Sequence, residues 1–92
     1  MSVFTKYKTI TCPRSQRKIK APAEVVDSVY TAVYYISTGA NGKYAAVYEY
    51  DRNSKRSHYV STLAYFISDR IAGYRDGNGC NLTKSNLIML KD

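Results

Sequence analysis

Tryptophan is absent from this chain of 92 residues, histidine occurs once, cysteine twice, and acidic side chains are half as numerous as basic ones. Each shortage excludes something. A structural zinc site needs four ligands at a readable spacing, and Cys12, Cys80 and His58 offer three, with no C-x-x-C pair. Two free thiols, buried or half-buried, in a reducing compartment are expected instead. No apolar run reaches the ~20 residues of a membrane span. The opening Met1-Ser2-Val3-Phe4-Thr5-Lys6 lacks a signal peptide's apolar block, which places the expected protein in the cytoplasm. Neither G-x-S-x-G nor G-x-x-x-x-G-K-[ST] occurs, and no cluster of polar groups able to shift one another's proton affinity is readable. The expectation is a protein with no cofactor, no metal, no small-molecule substrate and no catalysis.

What is present is positive charge and tyrosine. Fourteen Lys and Arg against seven Asp and Glu give +7 on 10.4 kDa, a field that draws in phosphate polymers or acidic protein surfaces. Hydrophobic residues at 45% and charged residues at 23% make a globular balance. The length suits one domain, residues 1–92.

Alternation over Thr5 to Cys12 puts Tyr7, Thr9 and Thr11 on one side of an edge strand and Lys6, Lys8 and Ile10 on the other. Pro13 ends it. Arg14, Arg17, Lys18 and Lys20 form the densest cationic cluster, in a turn that leads to a second strand over Lys18 to Ala21. After Pro22, valines at helical spacing compete with a strand-rich composition. The reading is an irregular stretch or a helical turn over Ala23 to about Asp27 and a strand over Val29 to Ser37. Asn41-Gly42 marks a hairpin turn, with Lys43 to Tyr50 as the return strand and Tyr44, Ala46, Tyr48 and Tyr50 on one face. Asp51 to Ser57 reads as a basic turn carrying Arg52, Lys55 and Arg56. A helix is expected over Ser61 to Ala72, with Leu63, Ala64, Ile67 and Ile71 as its apolar stripe and Gly73 as its stop. Leu87 to Leu90 reads as an edge strand. The expected fold class is α+β: a small antiparallel sheet of about four or five strands with that one helix packed on a face.

Ten tyrosines are a heavy bias. About six are expected to pack in the core or at its rim, with three or four left to stack on bases or anchor an interface. Tyr48 and Tyr50, beside the Arg52, Lys55 and Arg56 loop, are the expected binding pair.

The run from Asp76 to Leu87 reads D-G-N-x-x-N-x-x-x-x-N-L. Asp, Asn and Gly in this order also suit a plain turn. With the preceding His58 to Ile67, the run resembles the C-terminal half of small phage-type HNH endonucleases. In that family an Asp-His pair before D-G-N supplies a metal ligand and the general base; Gly73 and Tyr74 stand there in this chain. A phenol titrating near ~10 is a poor base at neutral pH, and Asn86, at another ligand position, cannot hold a cation unaided. If the resemblance is ancestry, it implies a scaffold that has lost cleavage.

Two functions follow as expectations. In size, charge and phage-type motif the chain resembles anti-CRISPR proteins, which implies a stoichiometric inhibitor in the host cytoplasm. It would engage a host CRISPR ribonucleoprotein, or another nucleoprotein complex, and block target binding. A cationic protein is repelled from a positively charged DNA path, so Arg14, Arg17, Lys18, Lys20, Arg52, Lys55, Arg56 and Arg75 are expected to contact RNA phosphates or acidic side chains. The alternative is a free-standing DNA-binding module descended from a dead HNH or AP2-like protein, with Asn78 and Asn81 presented to base edges. An active nuclease with an unconventional site is the third.

Overall fold

The computed structural model describes residues 6–30 and 34–90. Strand β1 (Tyr7–Thr11) pairs antiparallel with β2 (Lys18–Pro22), opposing Ile10 to Ile19 and Thr9 to Lys20. Ile19 and Ala21 are fully buried, so Lys18 and Lys20, at the alternate positions, face out. Helix α1 (Ala23–Tyr30) follows Pro22 directly and buries Val25, Val26 and Val29. Valine loses up to about 0.7 kcal/mol of helix propensity per residue, but burying each side chain contributes about 1.5–3 kcal/mol. Burial therefore decides the element. The expected helical turn grows into a full helix that takes Val29 from the expected strand, while Thr31 to Val33 lie outside the described residues.

A three-stranded antiparallel sheet follows in the order β3 (Tyr34–Gly39), β4 (Tyr44–Asp51), β5 (Arg56–Thr62). The turn at Asn41-Gly42 forms as expected, with left-handed backbone at Ala40, Asn41 and Gly42. The basic turn narrows to residues 52–55, where Asp51 accepts hydrogen bonds from the Asn53 N–H and the Ser54 hydroxyl. One face of this sheet places Ile36, Ala45 and Val47 in one buried cluster with the α1 valines, Leu63 and Leu82. Among the described residues strand β5 has no partner on its outer edge, and Val60 is an extra residue between the Tyr48–Tyr59 and Val47–Ser61 pairs. Such a bulge discourages edge-to-edge association.

The helix expected over Ser61 to Ala72 does not form. Ser61 and Thr62 continue β5, the Leu63 N–H donates to the Ala45 carbonyl, and a short 3-10 turn covers Ala64–Phe66. Strand β6 (Ile71–Tyr74) then pairs antiparallel with β7 (Leu87–Met89), so Gly73 lies within a strand rather than ending a helix. The apolar stripe is still used: Leu63 and Ala64 are buried, and Ile67 and Ile71 pack on the core. Only its period misleads, because the competing partners of Thr62 and Ile71 are remote in sequence.

The molecule is mixed α and β, but its described strands form sheets of two, three and two. The single sheet of four or five strands is corrected on this point. Two isolated parallel bridges, Lys20 to Asn81 and Tyr44 to Gly79, tie the segment between β6 and β7 to β2 and to β4. Among the described residues no helix is long and apolar enough to cross a membrane. Cys12 and Cys80 are both free and buried, as expected.

Candidate functional site

The bridge from Lys20 to Asn81 builds a broad concavity in the surface. The Lys20 N–H donates to the Cys80 carbonyl at 2.8 Å, and the Lys20 carbonyl accepts from the Leu82 N–H at 2.7 Å. Segment 79–83 is thereby held alongside β2. Between them lies a cleft of about 950 Å³. Tyr7, Thr9, Lys18 and Lys20 of the β1–β2 hairpin form one side, and Asn78, Asn81, Thr83, Lys84 and Ser85 contribute the other. Three ammonium groups line it and no carboxylate does. Lys18, Lys20 and Lys84 form no ion pair among the described residues, whereas Lys8, on the opposite face of β1, is paired with Asp27.

Tyr7 holds two of these lysines in place. Lys20 Nζ lies over its ring, 5.8 Å from the centroid, and its hydroxyl accepts the Lys84 N–H at 2.9 Å. One face of its ring is thus taken by Lys20.

The Asp-Gly-Asn motif forms the wall as a loop satisfied by its own side chains. The Asp76 carboxylate accepts from the Asn78 N–H at 2.8 Å, the Asn81 amide at 3.1 Å and the Asn86 amide at 2.9 Å. The Asn86 side chain also accepts the Asp76 N–H and donates to the Asn81 carbonyl. The Asn81 amide, with the Asn78 N–H and Asn86 amide behind it, holds the Asp76 carboxyl below its ordinary value. Asn81 Oδ1 accepts from the Thr83 hydroxyl, so both ends of that amide are engaged. Asn78 Oδ1 accepts the Cys80 N–H at 3.0 Å and a long contact from Arg17 at 3.4 Å.

The remaining expected residues fall into separate places. Arg14 leaves the cationic cluster and lines a second hollow with Tyr48. Tyr48 is half-buried, and its hydroxyl donates to the Thr38 carbonyl at 3.1 Å. Tyr50 is exposed on β4 near the turn that carries Arg52 and Lys55, with Arg56 opening β5; none of these four lines the cleft. Arg75 donates to the Ser85 carbonyl at 3.0 Å and so braces the cleft wall from outside. Beside Ser37, which lines the second hollow, burial pushes the Cys12 thiol up, but hydrogen bonds from the Ser15 and Ser37 hydroxyls and the Ser15 and Arg14 backbone outweigh it and bring it to about 6.

Four of the twelve expected contact residues, Lys18, Lys20, Asn78 and Asn81, therefore share the cleft, with Arg17 joined to it through Asn78. Lys84 and Tyr7 were missed. Alternation over Tyr7, Thr9 and Thr11 was a usable signal for one; Lys84 sits at an unspecified position of the Asn motif, where nothing marks it. Six tyrosines are half-buried and four exposed: Tyr30, Tyr50, Tyr59 and Tyr65.

Among the described residues no three of His, Cys, Asp and Glu come together as metal ligands. Comparison with protein-family models, with curated proteins and with solved structures finds no match.

Proposed function

We propose that this chain is a non-catalytic binding protein whose lysine cleft holds the phosphate backbone of a nucleic acid within a nucleoprotein complex, and so keeps target nucleic acid from binding there. In its fullest form the reading is an anti-CRISPR-type inhibitor, phage-encoded and acting in the host cytoplasm on a multi-subunit CRISPR surveillance complex. The observation that carries it is the convergence of Lys18, Lys20 and Lys84 on one concave surface that no carboxylate lines. Three ammonium groups in one cleft repel one another, and a polyanion relieves that repulsion while releasing its counterions. Backbone recognition is favoured over base reading because Asn81 is spent at both ends within the loop. That same fact weighs against a free-standing DNA module that reads base edges with Asn78 and Asn81.

The test is a titration of the protein against a bare duplex, a single-stranded RNA and a CRISPR ribonucleoprotein, at low and physiological salt. Tight binding to the complex that survives physiological salt, lost at least about a hundredfold in the triple variant Lys18→Ala, Lys20→Ala, Lys84→Ala, is the expected result. Equal affinity for naked duplex transfers the reading to the DNA module. Metal-dependent cutting of plasmid DNA that Asn86→Ala abolishes overturns the non-catalytic reading.

A further inference from the structure

The face of the three-stranded sheet that carries Tyr35, Ser37 and Tyr48 borders a second concavity, distinct in chemistry from the lysine cleft. It encloses about 620 Å³, within the range of small-ligand sites. Tyr35 and Tyr48 stack at its base with centroids 5.7 Å apart and planes at 21°, and Tyr59 meets Tyr48 edge-on at 5.9 Å. With the Tyr48 hydroxyl fixed on the Thr38 carbonyl, these rings are a platform already ordered before anything binds. The far wall is Pro13 and Arg14 from the β1–β2 loop and Tyr30, half exposed, from the last turn of α1. No carboxylate lines the hollow, and Arg14 has no acidic partner among the described residues.

Aromatic walls with a single unpaired guanidinium at the rim suit a flat ring bearing an anion. We infer that this hollow receives the base of an unpaired nucleotide, stacked against Tyr35, Tyr48 and Tyr30, with Arg14 on its phosphate. A base inside an intact duplex cannot enter a concavity, so the occupant is single-stranded or flipped out. The inference rests on the reading of the protein as a nucleic-acid binder, but the site and its residues are separate from the cleft.

The experiment titrates adenosine monophosphate into protein with isotope-labelled tyrosine rings and follows their resonances. Shifts at Tyr30, Tyr35 and Tyr48 are expected, with ribose 5-phosphate at least about tenfold weaker and Tyr30→Ala and Arg14→Ala each weakening the nucleotide about tenfold. The triple lysine variant is expected to keep these shifts. No shifts, shifts confined to Tyr7, or equal binding of ribose 5-phosphate overturn the hollow. Nucleotide shifts with no binding of any oligonucleotide or ribonucleoprotein sink the cleft reading and leave the hollow standing; intact oligonucleotide binding with no nucleotide shift does the reverse.

Discussion

Asn86 is 7% exposed and its side chain makes three hydrogen bonds, to the Asp76 N–H, the Asp76 carboxylate and the Asn81 carbonyl. Truncating it strands partly buried polar groups with no replacement partner. Asn86→Ala is expected to cost about 2–3 kcal/mol in denaturant unfolding, and unchanged stability would show that the loop does not depend on this residue. Asp76 sets a pH dependence whose sign follows from the direction of its shift. Its carboxyl is held below the ordinary 3.8 in the folded state, so the stabilisation is fully present above that value and is lost as pH falls through the lower native value. An acid titration of unfolding stability from about pH 5 to about pH 2 should decline less steeply in Asp76→Asn than in the parent; parallel declines would remove Asp76 from the account.

Elements in this molecule are chosen by partners distant in sequence. Gly79 bridges to Tyr44, and a β-carbon on it would lie 2.5 Å from the Tyr44 β-carbon and 2.6 Å from the Lys43 carbonyl oxygen. Gly79→Ala must push the two segments apart, break the Ala45 N–H to Gly79 carbonyl bond and open the cleft wall. A cost of about 3 kcal/mol is expected, with weaker anion binding, and a folded variant of parental stability would contradict the stitching. This dependence also explains what the sequence left unread. Hairpins closed by local turn chemistry, at Pro13 and at Asn41-Gly42, were legible, as were Lys18 to Ala21 and the Leu87 edge strand. Ser61 to Ala72 was not, since its apolar spacing matches a helix and nothing nearby reveals that β4 and β7 pair with its ends. The cleft was half legible for the same reason: Lys18 and Lys20 alternate visibly, while their meeting with Asn81 and Lys84 needs the Lys20 to Asn81 bridge.

Across the whole molecule, +7 is divided among separate places. Lys18, Lys20 and Lys84 gather in the cleft, Arg14 stands over the tyrosine hollow, and Arg52, Lys55 and Arg56 crowd the β4–β5 turn. A long-range field from all of them speeds encounter with a polyanion, but only cations in contact with phosphate release its counterions. The division therefore predicts unequal effects of equal charge changes. Removing Arg52, Lys55 and Arg56 should slow association and leave the salt slope nearly unchanged, as measured by stopped-flow at several salt concentrations. A salt slope that falls as far as in the cleft variant would show that the turn, rather than the cleft, holds the backbone.

The most direct test is the slope of log affinity against log salt for single-stranded RNA, compared between the parent and the triple variant Lys18→Ala, Lys20→Ala, Lys84→Ala. Loss of three phosphate contacts should flatten the slope by about two, at roughly 0.7 per contact. Equal slopes in a folded variant would mean that the three lysines touch no phosphate and that the cleft is not where this protein binds.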